Sequence, residues 1–165
     1  MAITKAKKQE VVAKVSDSVK DAASVVFVAF KGLSVGDTSA MRRTLRDSDI
    51  GYYVAKKTLM RRALESKGYA GTFPELPGEI AMAWSAGDAT APARLIHEHG
   101  IKHKGALSIV GGVFDGAYVD AAGMRAIATI PPLPVLRGMF VNVINSPIQG
   151  FVIALDKIAE KKAAA

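Results

Sequence analysis

Apolar and polar residues along this chain follow two different periods, and the period switches repeatedly. Over residues 4–22, Val11, Val12, Val15, Val19 and Ala22 recur close to the 3.6-residue spacing of a helix face, with Lys and Asp between them. Ser24-Val-Val-Phe-Val-Ala-Phe30 is then continuously apolar and rich in β-branched and aromatic side chains, which predicts a buried strand. Gly32 breaks it. Ser34 or Asp37 supplies a cap for a helix over residues 36–48, with Met41 and Leu45 on one side and Arg42, Arg43 and Arg46 mostly on the other. A strand over 50–55 and a helix over 58–67, closed by Gly68, come next. The loop carrying Gly71, Pro74, Pro77 and Gly78 leads to a strand over 79–85, a helix over 92–98 and a strand over 106–114. Asp115-Gly116 is a tight turn toward Tyr118. Four helix–strand alternations predict an α/β fold, an α+β sandwich of split-βαβ, ferredoxin-like type, with helices laid on a sheet around one core that ends near residue 120.

From Ala121 the pattern changes. Residues 124–130 form a short helix, and Pro131-Pro-Leu-Pro134 a stiff hinge lacking backbone donors at three positions. The expected division is a globular domain over 1–130, the hinge over 131–134 and an extended C-terminal helical segment over 135–165. That segment repeats itself. Gly138-Met-Phe-Val-Asn-Val-Ile144 and Gly150-Phe-Val-Ile-Ala-Leu155 place Phe on Phe and Val on Val at an offset of eleven, about three helical turns. Ser146-Pro147 between the copies is expected to kink or restart the helix, with Ser146 as its cap.

Charge divides along the same boundary. Residues 1–67 hold 14 of the 22 basic and 7 of the 15 acidic side chains, so the whole excess of +7 lies there; the remainder balances at 8 each. A basic surface so concentrated fits a polyanion, because phosphate neutralisation releases counterions and dominates nucleic-acid affinity. The chain has no Cys, which removes disulfides, thiolate metal sites and cysteine nucleophiles. Its start is polar and basic rather than signal-like, so a cytoplasmic protein is expected.

The densest local signal is Lys56-Lys-Thr-Leu-Met-Arg-Arg62, four cations at a strand-to-helix junction. Free amides and the positive dipole end of a helix already favour phosphate; Lys56, Lys57 and Thr58 add to that, with Arg61 and Arg62 one turn on. Arg42, Arg43, Arg46, Lys5, Lys7 and Lys8 are expected to continue the surface. His97, His99 and His103 do not make a metal site at their spacing, since Gly100 interrupts an i, i+4 pairing of His99 with His103. No nucleophile–base arrangement stands out, and Gly111-Gly112 lacks a dinucleotide or phosphate-loop spacing, so neither catalysis nor a cofactor is expected. As a membrane span, residues 138–155 are only marginally long and carry Asn142, Asn145, Ser146, Pro147 and Gln149. Tandem apolar cassettes fit a docking helix for a repeated partner instead.

Phe30-Lys-Gly-Leu-Ser-Val35, Met41-Arg-Arg-Thr-Leu45, Tyr53-Val-Ala-Lys-Lys-Thr-Leu-Met-Arg-Arg-Ala63, Ile80-Ala-Met-Ala-Trp-Ser85, Gly111-Gly-Val-Phe-Asp-Gly116, Ile127-Ala-Thr-Ile-Pro131 and Ser146-Pro-Ile-Gln-Gly-Phe-Val152 follow one another in an order and spacing that resemble the bacterial large-subunit ribosomal protein L-ten family, across essentially the whole chain. The sequence departs from the family at Lys57, usually Asn, and at Pro77-Gly78-Glu79, usually a Gly-Pro pair with Thr. The resemblance implies the base of the ribosomal stalk: a globular domain on the GTPase-associated region of large-subunit ribosomal RNA, beside the L-eleven protein. It also implies a C-terminal helix carrying dimers of the acidic L-seven/L-twelve stalk protein, which recruit translational GTPases. Carried onto this chain, Lys56–Arg62 would touch RNA, and two cassettes, with Met139, Phe140, Val143 and Ile144 in one and Phe151, Val152, Leu155 and Ile158 in the other, would each hold one dimer. The rival from another class is a small regulatory α/β domain with a C-terminal oligomerisation helix.

Overall fold

The computed structural model describes residues 4–103 and 105–163; residues 1–3, 104, 164 and 165 lie outside it. In chain order the elements are α1 (Lys5–Lys20), β1 (Ser24–Phe30), α2 (Val35–Asp47), β2 (Ile50–Val54), α3 (Lys57–Glu65), β3 (Ile80–Ser85), α4 (Ala91–Lys102), β4 (Leu107–Phe114), β5 (Ala117–Asp120), α5 (Ala121–Ala128) and α6 (Leu133–Ala163). They form two compact units, Met1–Ile130 and Pro131–Ala165.

The first unit is organised around β1. A strand that is apolar at every position can only be satisfied with cover on both faces. Val26 and Val28 enter one core with Met41, Leu45, Ile96 and Met124, while Val25 and Phe27 enter a second with Val15, Val19, Met60 and Met82. The expected single core is therefore two, one on each side of the sheet. The sheet is antiparallel throughout, in the order β2-β3-β1-β4-β5. It follows that β1 and β2 run the same way with β3 between them, and β3 and β4 run the same way with β1 between them. That is the split βαβ arrangement. Its crossover helices α2 and α4 lie on one face and are joined by α5; α1 and α3 cover the other.

β4 holds a device that simple alternation does not reveal. Phe27 pairs with Gly111 but Val28 with Ile109, so Val110 is an extra residue opposite β1. Such a bulge reverses the side-chain phase. Leu107 and Ile109 enter the first core, and Val113, which an unbroken period of two would place beside them, enters the second. Asp115 and Gly116, both with positive φ (51° and 75°), close the hairpin to β5.

Three boundaries differ from the sequence reading. α4 runs on to Lys102 rather than stopping at residue 98, because Gly100 lets the helix approach the Leu107 carbonyl, where a Cβ would sit 2.8 Å from that oxygen. The core does not end near residue 120: α5 begins at Ala121, is capped by Asp120 (Gly123 N–H to Oδ1, 2.8 Å), and buries Met124 and Ala128. Pro134 belongs to the first turn of α6, where a missing donor is tolerated, so the non-helical part of the hinge reduces to Pro131 and Pro132. α6 neither stops nor restarts at Ser146-Pro147; the helix is continuous for 31 residues with Pro147 inside it.

Met124 is fully buried, and its replacement tests whether α5 is integral. Met124→Ala is expected to lower the unfolding free energy by about 2–5 kcal/mol. Urea unfolding followed by the fluorescence of the single tryptophan, Trp84, measures this, and no change would detach α5 from the core.

Candidate nucleic-acid interface

β2 ends at Val54, and Lys56 caps α3 in an extended conformation without a side-chain cap bond. One face of α3 is committed to packing, since Leu59, Met60, Ala63 and Leu64 are buried. Lys56, Thr58, Arg61 and Arg62 are consequently turned outward. α1 packs alongside α3, and Lys8 shares a groove with Lys56, Thr58, Leu59 and Arg62. Lys7 is exposed on the same helix; Lys5 opens α1, and its side chain lies outside the described residues.

The four cations of the junction do not behave alike. The Lys57 ammonium donates to the Leu76 carbonyl at 2.7 Å, tying α3 to the loop before β3. Arg61 pairs with Glu65 through Nε at 2.7 Å and lies 5.7 Å from the ring centre of Phe73. Lys56 and Arg62 have no ion-pair partner among the described residues. The loop residues Phe73 and Leu76 were invisible to motif reasoning, although both are apolar within a Gly/Pro-rich stretch. Phe73 joins an aromatic chain with Phe27 (5.6 Å) and Tyr118 (5.6 Å), and Tyr118 meets Tyr69 at 5.9 Å. Burial raises the pKa of the Tyr118 hydroxyl, helped by Tyr69 and Glu65 and opposed by Arg61.

Arg42, Arg43 and Arg46 are exposed as expected, but α2 lies on the opposite face of the sheet from α1 and α3. They are a second cationic surface rather than a continuation of the first, because the β1–α2–β2 crossover lands on the α4 side. Arg42 sits 5.4 Å from the ring centre of Tyr52. Burial raises the Tyr52 pKa, and that cation works against it.

The His99 and His103 rings are stacked with centroids 6.2 Å apart, a pairing that the continuous α4 permits despite Gly100. Burial, then Lys102 and His103, lower the His99 pKa, with Glu98 opposing. Among the described residues no group of three or more His, Asp or Glu side chains gathers to hold a metal.

α6 carries the second surface. Phe140, Ile144, Ile148, Phe151, Leu155 and Ile158 recur at spacings of three and four and make one apolar stripe. Val143 and Val152 flank it, and Met139 lies further round. All nine are at least half exposed. Ile148, masked by the neighbouring proline in the sequence, bridges the two cassettes. Asn142, Asn145, Gln149, Asp156 and Glu160 line the far side. By length and composition the helix passes as a candidate membrane span, an 18-residue window of it having a mean hydropathy of 1.4. Asn142, Asn145 and Gln149 count against a span, because hydrocarbon offers their side chains no partners.

The chain thus carries a cationic helix junction in its first unit and a solvent-facing apolar helix in its second. The ribosomal protein L10 family matches residues 3–100. The large ribosomal subunit protein uL10 of Shouchella clausii (strain KSM-K16) is 36% identical over 155 residues, covering 94% of this chain and 93% of that protein. The uL10 protein of Staphylococcus carnosus (strain TM300) is 35% identical over 160 residues, covering 97% and 95%. The chain belongs to the ribosomal protein L10 family. It is thus a structural component of the large ribosomal subunit, working with ribosomal RNA and other ribosomal proteins in the cytoplasm, and it is not an enzyme. The regulatory-domain alternative is set aside by the same finding.

Lys57 separates tether from contact. Lys57→Met is expected to cost about 1 kcal/mol of stability through the lost bond to Leu76. Lys56→Met and Arg62→Met should stay within about 0.5 kcal/mol of the parent. Equal effects in urea unfolding of the three variants would refute the distinction.

Proposed function

We propose that this protein forms the base of the ribosomal stalk. The globular unit binds large-subunit ribosomal RNA at the GTPase-associated region beside the L-eleven protein, through the α1–α3 groove with Lys8, Lys56, Thr58 and Arg62. Lys5, Lys7, Lys57 and Arg61 flank it in sequence, and Arg42, Arg43 and Arg46 offer a separate phosphate surface. α6 anchors dimers of the acidic L-seven/L-twelve protein, which bring translational GTPases to the subunit.

The observation that carries the reading is α6 itself: an apolar stripe over a 31-residue helix, open to solvent and repeated at an offset of eleven. A lone helix with that much exposed apolar surface needs a protein cover. Two repeats imply two dimers, one on Met139, Phe140, Val143 and Ile144 and one on Phe151, Val152, Leu155 and Ile158. Charge supports the rest, since the basic excess lies wholly within residues 1–67.

Native mass measurement of the reconstituted complex is expected to give two dimers per chain; one or three would reject the count. Affinity for a ribosomal RNA fragment containing the GTPase-associated region should fall steeply with salt. Replacing Lys56 and Arg62 together by Ala should weaken binding and reduce the salt slope by about two phosphate contacts. An unchanged slope would remove the α1–α3 groove from the interface.

A further inference from the structure

Next to the cationic groove is a larger one of different character. It measures about 760 Å³ and is walled by Val11, Phe30, Tyr53, Val54, Ala55 and Ile80. Its floor is the end of the sheet, where β1 finishes and β3 begins, and Lys56, Lys57 and Thr58 stand at its rim. The two grooves share Lys56, Thr58 and Leu59, so they lie side by side on the start of α3. Lys8 and Arg62 line the cationic part, and Val54, at 40% exposure, lies open in the apolar part. A single carboxylate, Glu79, borders the apolar part.

Charge and shape together select the occupant. The cationic part suits a backbone phosphate. A double-stranded segment would leave the apolar part empty, because paired bases are stacked inside the helix, whereas an unpaired nucleotide can turn its base outward while its phosphate stays on the cations. The volume is ample for one base with its ribose. Glu79 offers an acceptor to an N–H donor of the base edge.

We propose that the apolar groove seats the base of one unpaired RNA nucleotide, packed among Phe30, Tyr53, Val54 and Ala55 with its phosphate on Lys56. The inference rests on the RNA-binding reading above and adds an unpaired base to what had been only a phosphate surface. Sequence preference then enters a protein whose other candidate contacts read only charge.

An abasic scan of the ribosomal RNA fragment, combined with groove variants of the full-length chain, tests this. An abasic site keeps the phosphate and removes the base. One unpaired position is expected to weaken binding of the parent protein about tenfold, the scale of a single stacked base. Val54→Glu, which places a charge in the apolar wall, should cause a similar loss, and abasic substitution at the sensitive position should cost it nothing further. Ala55→Trp fills the same space without adding charge and should behave alike; Trp84-monitored unfolding verifies the fold of Val54→Glu. If the parent binds the fragment but no abasic position matters, or if the two losses add fully, the groove holds no base and the phosphate surface alone survives. If the parent shows no salt-dependent binding to the fragment, the RNA-binding reading fails and this inference fails with it.

Discussion

Burial of β1 on both faces is the constraint from which the first unit follows. Val25 and Phe27 on one side and Val26 and Val28 on the other leave no tolerance for a solvent-facing surface at the centre of the sheet. Each such side chain contributes on the order of 1.5–3 kcal/mol when removed from water, so helices must cover both faces. The crossovers α2 and α4 supply one layer. The insertion of α3 between β2 and β3, with α1 preceding β1, supplies the other, and the cationic junction exists because α3 must begin where β2 ends.

The second unit inverts that logic. α6 has an apolar stripe but nothing of its own to set against it, since a single helix cannot bury its own side chains. Asn142, Asn145, Gln149, Asp156 and Glu160 make one strip of the helix compatible with water, while Val135, Val141 and Ile153 leave apolar side chains exposed outside the main stripe as well. Pro147 removes one backbone donor within the helix, yet the helical path continues. Stability in the first unit is internal; in the second, the apolar side chains are left exposed.

Much of this was legible in the residues. The apolar run of β1, the cap at Ser34, the Asp115-Gly116 turn and the outward face of Lys56, Thr58 and Arg62 each follow from local spacing. Other features depend on partners far away in sequence. The bulge at Val110 is set by register against Phe27 and Val28, so no local pattern discloses the reversal at Val113. The sheet face chosen by α2 comes from crossover topology; the Arg42, Arg43 and Arg46 spacing shows that these side chains are exposed but not on which side of the molecule. Gly100 looks like a helix breaker until Leu107 is placed against it. The roles of Phe73 and Leu76 arise only when the loop folds back over Phe27 and Lys57.

The Lys57–Leu76 bond gives the cationic surface an uneven rigidity. An ammonium has three donors, and the carbonyl takes one, leaving two aimed from a fixed position. A free lysine surrenders up to about 2 kcal/mol of rotamer freedom when it is immobilised. Lys57 has surrendered part of that on folding, whereas Lys56 and Arg62 must still do so when they meet an anion. On the proposed reading, a phosphate would meet one charge held in place by the fold and others that settle around it.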